Sequence, residues 1–227
     1  MSSLFDEDIP QRPEIVEGLF REGQIVTVAG AYNVGKSPLL AQIAVCAVNG
    51  IPWCGRKVAP RHVIHVDFES SLPGFVHNYR NTCKANRIDP PKTPKDIDAL
   101  IFNGNITDPT TAELHKVIKT AATTQEYLIK LLKRNPDSLI LLDPAEMLFP
   151  TLSISKPSDA LKIVSIWRSL FAAFPRAAVM GTYNMRKMDP KAPVPDLIED
   201  PHGWLREISG SNNLLNRSDI RIGMARR

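Results

Sequence analysis

Gly30-Ala31-Tyr32-Asn33-Val34-Gly35-Lys36-Ser37 is the stretch on which the reading of this chain turns. It matches GxxxxGK[ST] in full, and the flanks give the match its weight. Gln24-Ile25-Val26-Thr27-Val28-Ala29 precedes it, a β-branched run that predicts a buried strand. Pro38 to Val48 follows, with apolar residues at 39, 40, 43, 44, 47 and 48, the spacing of a helix. Strand, glycine loop and helix in that order make an anion cradle. The glycines let backbone wrap a polyphosphate, amides at the helix start point at it, and Lys36 reaches the outer phosphates. Ser37 would set its hydroxyl on Mg²⁺. Pro38 falls in the first helical turn, where a missing N–H is tolerated. The expected ligand is a nucleoside triphosphate, with residues 30–38 as its binding segment.

Working outward, the chain alternates apolar strands with helices. Strands are predicted over His62–Phe68, Ala99–Phe102, Leu139–Asp143 and Ala177–Tyr183, with strand-like pieces near 205–209 and 219–224. Helices are predicted over about 72–86, 111–133 and Ser158–Phe174. The last would turn Leu161, Val164, Trp167, Leu170, Phe171 and Phe174 inward. Strands that are apolar throughout, alternating with helices, imply a mostly parallel sheet covered on both faces, an α/β fold. Residues 186–204, with four prolines and mixed charge, read as a long exposed loop.

Composition sets bounds on the rest. A chain of 227 residues, 43% hydrophobic, suits one α/β domain with a substantial core. No apolar run approaches the ~20 residues of a membrane span, and the acidic first residues hold no signal-peptide core. Cys46, Cys54 and Cys83 lack metal-type spacing, with Cys46 expected in the core; a reducing cytoplasm is the expected setting. A net charge of +4 permits a polyanionic partner without requiring one.

Three strands end in groups with chemistry. Leu139-Ile140-Leu141-Leu142-Asp143 closes on a carboxylate about a hundred residues after the phosphate loop, where an aspartate would hold Mg²⁺. Val63-Ile64-His65-Val66-Asp67-Phe68-Glu69 ends in two acids, at the carboxyl edge where α/β sites form. Strand alternation sets His65 and Asp67 on one face, with Glu69 just past the end. Hydrolysis needs a carboxylate that deprotonates water facing the γ-phosphate, and Glu69 is the candidate, with Asp67 its competitor. Val179-Met180-Gly181-Thr182-Tyr183-Asn184 ends in an amide that would sense the γ-phosphate or polarise the attacking water.

Taken together, these segments with Pro52–Arg56, Val179–Lys187 and Ser209-Gly210-Ser211-Asn212 resemble the RecA-like ATPases, and within them the RepA-type replicative helicases. The resemblance runs from about residue 13 onward. Residues 1–22, Pro-containing and acidic, are expected to form an N-terminal arm packed beside the core, and the resemblance implies a RecA-like ATPase domain over 23–227. By position, Lys36 and Ser37 match the family's nucleotide and Mg²⁺ residues, Glu69 its catalytic glutamate and Asp143 its Walker B acid. Tyr183-Asn184 stands where the family often has His-His. The family's site lies between subunits, so a homo-oligomer (hexamer or filament) is implied, with an arginine acting in trans. Arg217 is the first choice, ahead of Arg221 and Arg206. The implied activity is ATP hydrolysis with Mg²⁺ on single-stranded DNA. Loops 145–157, with Lys156, and 186–204, with Arg186, Lys187 and Lys191, would face the nucleic acid. Acidic Asp189, Asp196, Glu199 and Asp200 share the second loop. An ATP-dependent switch that binds a partner protein is the competing reading. A small-molecule kinase fits less well, since no Arg-rich lid is evident.

Overall fold

A computed structural model describes residues 11–89, 97–101, 121–185, 196–207 and 217–225. Six strands form one parallel sheet: β3 (Ile25–Gly30), β4 (Val63–Asp67), β5 (Ile97–Ile101), β6 (Leu139–Asp143), β7 (Ala178–Asn184) and β8 (Ile220–Met224). The spatial order is β5-β4-β6-β7-β3-β8. The strand of the phosphate loop, β3, therefore sits between β7 and β8, and β7 separates it from β6. A further pair, β1 (Glu14–Val16) and β2 (Phe20–Arg21), is antiparallel and stands apart.

Alternation explains why these strands are apolar at nearly every position. Leu139, Leu141, Ala178 and Met180 point into a core closed by α1 (Lys36–Asn49) and by Ile15, Val16 and Phe20 of the small pair. Ile140, Leu142, Val179 and Tyr183 point to the other side. There they meet α3 (Ala121–Arg134), α4 (Pro157–Ala173) and Trp204 of the short helix α5 (Pro201–Arg206). Both faces of the inner strands β3, β6 and β7 are buried, so these strands are largely hydrophobic in both registers. Helix α2 (Leu72–Ala85) lies beside α1, capped by Ser71, whose hydroxyl accepts from the Gly74 amide.

The expected parallel α/β fold is observed. Two local readings are corrected. Residues 205–206 are helical: Asp200 caps α5 by accepting from the Gly203 amide, Pro201 opens the first turn, and Trp204 is buried. Local capping with a tertiary anchor overrides the β pattern. Leu161 faces solvent, because α4 is rotated so that Ala160, Ile163, Val164, Trp167 and Phe171 line the core. The first half of the expected 111–133 helix, residues 186–195 and the Gly-Ser segment 209–212 lie outside the described residues.

Candidate functional site

The phosphate loop takes its shape from two positions. Gly35 has φ 104°, a conformation that strains any side chain. Gly30 is hemmed in instead: a Cβ there would lie 2.7 Å from Val34 and 2.8 Å from the Met224 carbonyl, because the end of β8 backs the loop. Asn33 also takes positive φ, a conformation asparagine tolerates. Helix α1 then begins with no side-chain cap and no acid in its first turn. Its first amides are left for an anion, with the helix dipole behind them.

Lys36 is buried to 8% exposure, and its Nζ donates to the carbonyls of Gly30 (3.0 Å) and Ala31 (2.8 Å). The ring of Tyr32, itself 60% exposed, has its centroid 5.9 Å from that ammonium. Burial lowers the lysine's pKa, opposed by the negative charges of Asp143, Glu69 and Glu146.

A cavity of about 430 Å³ opens over the loop at the carboxyl edge of the sheet. Tyr32, Asn33, Gly35, Lys36, Ser37 and Pro38 form one wall, while Glu69, Asp143 and Asn184 enter from the ends of β4, β6 and β7. Sequence reasoning thus named residues from four separate segments that the fold assembles around one space. Ala31 and Val34 complete the loop, Val34 turning its methyl under Gly30. Asn184 pairs in register with Gly30, which sets its amide beside the start of the loop.

The two acids of β4 separate by geometry. Asp67 is buried, and its Oδ1 accepts from the amides of Glu69 (3.0 Å) and Ser70 (2.7 Å), building the turn. Glu69 is the one that lines the cavity. Burial raises its pKa, as do Asp143 and Asp67, while Lys36 pulls it down. His65, on the Asp67 face as expected, hydrogen bonds through Nδ1 to Tyr79 Oη at 2.7 Å under α2.

Two neighbours of these residues escape a motif reading. Thr182 Oγ1 donates to Asp143 Oδ1, which fixes the carboxylate and leaves Oδ2 buried without a hydrogen-bond partner among the described residues. Glu146, on the 3₁₀ turn Ala145–Leu148 after β6, faces Lys36, Glu69 and Asp143 electrostatically; burial pushes its pKa up to about 7. That turn packs onto β7 at Gly181, where a Cβ would lie 2.6 Å from Ala145. The pattern D-P-x-E carries no signal by itself, because burial creates the shift.

The orphaned Asp143 oxygen and the Ser37 hydroxyl fit a hard divalent cation. Among the described residues, no group of three or more His, Cys, Asp or Glu side chains is arranged to hold a metal. Mg²⁺ does not need one, since it takes one or two protein oxygens, waters and the substrate's phosphates.

The arginines fall elsewhere. Asp219 and Ile25 bond to each other through backbone and side chain, so Arg217, two residues earlier and exposed, lies at the amino edge of the sheet. The five residues of β3 beyond Ile25 span about 16 Å, so Arg217 cannot reach its own phosphate loop. Arg221 is exposed on the edge strand β8 opposite Thr27, and Arg206 is exposed at the end of α5. The 145–157 loop begins anchored: Leu148 and Phe149 are buried, and Phe149 meets Trp167 edge-on at 5.9 Å. Lys156 is exposed at the start of α4. No helix among the described residues is long and apolar enough to cross a membrane.

Fold and site together define a P-loop ATPase domain of RecA-like type. The AAA domain family profile matches residues 2–189, and the chain belongs to that family. No curated protein matches the sequence. Among solved structures, a KaiC-like protein from the hyperthermophilic archaeon Pyrococcus horikoshii OT3 aligns with a TM-score of 0.51 at 15% identity. The alignment covers 94% of this chain and 80% of that one, a likeness of fold.

Proposed function

We propose that this chain hydrolyses ATP at the cavity over residues 30–38 and that it works as a DNA-acting, helicase-like motor in a homo-oligomer. The reading rests on one observation: Lys36, Ser37, Glu69, Asp143 and Asn184, from separate parts of the chain, line one space at the carboxyl edge of a parallel sheet. Lys36 exchanges its bonds to the Gly30 and Ala31 carbonyls for the outer phosphates. Ser37 and the free oxygen of Asp143 would hold Mg²⁺, with Thr182 orienting the carboxylate. An ion held there would supply positive charge against the substrate's phosphates. Glu69 accepts a proton from water as the water oxygen bonds to the γ-phosphorus and the bond to the ADP oxygen breaks, releasing phosphate. Asn184 hydrogen bonds to the γ-phosphate or to that water.

No arginine on the described part of the chain lines the cavity. A neighbour's arginine supplies that charge, and Arg217 is the choice, since its place at the opposite edge leaves it only a partner's site to serve. Net charge of +4 and the exposed Lys156 at the start of α4 suit contacts to single-stranded DNA. The test is the ATPase rate with and without single-stranded DNA, run beside mass measurement with nucleotide. Stimulation of an assembled species supports the motor. An unstimulated monomer that still binds ATP would replace it with a partner-binding switch.

A further inference from the structure

Two of the free cysteines share one space. Cys46 of α1 and Cys54 both line a hollow of about 400 Å³ between α1 and α2, while Cys83 is buried and lines no part of it. Cys46 is 2% exposed, and its thiol donates to the Pro52 carbonyl at 3.4 Å, so its sulfur faces the segment that carries Cys54. That segment is a two-residue turn. Trp53 and Arg56 exchange both backbone hydrogen bonds, at 2.9 and 3.0 Å, and between them Cys54 and Gly55 take φ 50° and 77°. Asparagine, aspartate or glycine is the usual residue at the first of those positions. A cysteine there carries backbone strain that those residues tolerate better, and strain of this kind gathers at functional sites. The turn is also open: Cys54 is exposed, and a Cβ on Gly55 would meet nothing within 4 Å.

We infer that Cys46 and Cys54 form an oxidisable thiol pair, a modification site that closes to an intramolecular disulfide when a small disulfide such as oxidised glutathione reaches Cys54. The step is thiol–disulfide exchange and stands apart from the phosphate site. The Cys54 thiolate attacks one sulfur of oxidised glutathione, a mixed disulfide forms, and one glutathione thiolate leaves. The Cys46 thiolate then attacks the Cys54 sulfur, the Cys46–Cys54 bond forms, and the second glutathione thiolate leaves. Two protein thiols are oxidised, the reagent's disulfide is reduced, and both protons pass to the released thiolates or to water. The two cysteines lie in one short stretch of chain, so the second attack closes a small loop. Burial, seconded by Cys54, pushes the Cys46 thiol up to about 11, so it is almost wholly protonated at neutral pH and the second attack is slow. His77 is the other titratable group lining the hollow, and no Lys or Arg lines it to favour the thiolate.

The experiment incubates the full chain with oxidised glutathione and reads intact mass and linked peptides. The product should be a chain short of two hydrogens, with Cys46 joined to Cys54 and Cys83 still open to alkylation after unfolding. Cys46→Ala should stop at one glutathione on Cys54, and Cys54→Ala should take up none. The Cys54 adduct of the unaltered chain, quenched in acid and returned to higher pH, should close about tenfold faster per unit between about pH 7 and pH 9. An adduct on Cys54 that never resolves would overturn the pair, as would a Cys54 bond to a second chain in place of Cys46. Closure at a rate independent of pH would show that Cys46 is not the attacking thiol. If Cys46→Ala loses its cooperative melt, the linked peptide and the pH dependence in the unaltered chain decide the matter.

Discussion

Replacing Glu69 with glutamine removes a proton acceptor and keeps the shape of the cavity wall. In the proposed mechanism Glu69, which lines the cavity near Lys36 and Asp143, takes the proton from water. Loss of a general base is worth ~10²- to 10⁴-fold in rate, about 2.7 to 5.5 kcal/mol of barrier. Binding should move the other way. The substitution deletes one of the negative charges around Lys36, so Mg-ATP should bind as tightly as before or more tightly. Single-turnover hydrolysis and calorimetry on the same preparation separate the two effects. The pH profile adds a signature. Burial, seconded by Asp143, holds the Glu69 pKa above the usual glutamate range, and the base works only when ionised. Turnover should therefore rise with pH along a limb lying above that range, and Glu69→Gln should abolish the limb. Asp67→Asn is the control. Its Oδ1 still accepts from the Glu69 and Ser70 amides, so the turn persists and turnover should fall by less than about tenfold. If Asp67→Asn stops hydrolysis and Glu69→Gln does not, the wrong carboxylate has been assigned.

Thr182→Val removes the hydroxyl that orients Asp143 and keeps the strand. The Mg²⁺ concentration for half-maximal ATPase should rise ~10- to 100-fold, as for other second-layer partners of metal ligands, and an unchanged requirement would refute that role. Glu146→Gln should stabilise the protein in a pH-dependent way. The native pKa is raised to about 7, so the folded state holds the proton that the unfolded state releases first, and stability falls as pH climbs from the usual glutamate range through 7. Urea melts at pH 8 should show a gain of about 2 to 3 kcal/mol that is small at pH 5; a pH-independent effect would show the carboxyl titrates normally. Arg217→Ala should bind ATP and assemble, yet lose ~10³-fold in turnover, the low end for an arginine supplied in trans. Mixing it with Glu69→Gln should restore activity, since one interface then carries both intact halves. A mixture as inactive as its parents, with mixed assemblies confirmed by mass, would count against a shared site.

What could be read from the residues alone was local chemistry. The phosphate loop is contiguous, so Gly35 with its positive φ, Lys36 and Ser37 announce themselves without knowledge of the rest of the fold. Asp143 and Glu69 were legible because a carboxylate ending an apolar strand lands at the carboxyl edge wherever that strand lies in the sheet. Other features needed the tertiary structure. Thr182 looks like an ordinary β-former until the fold lays β7 beside β6 and puts its hydroxyl on Asp143, 39 residues away in sequence. Glu146 looks like a solvated acid after a strand, and only the packing of its turn against β7 drives its carboxyl into a low-dielectric wall. The 205–206 segment carries a strand-like pattern, yet Trp204 is drawn under Gly223 of β8, where a Cβ would lie 3.1 Å from its ring, and the capped helix follows. Strand order was likewise beyond sequence. The inner strands β3, β6 and β7 are buried on both faces, so periodicity cannot say which neighbours pair, and only the fold shows that β7 separates the phosphate-loop strand from the Asp143 strand. Periodicity and motif spacing report on residues near in sequence, while the pairing of distant groups depends on how buried faces close against one another.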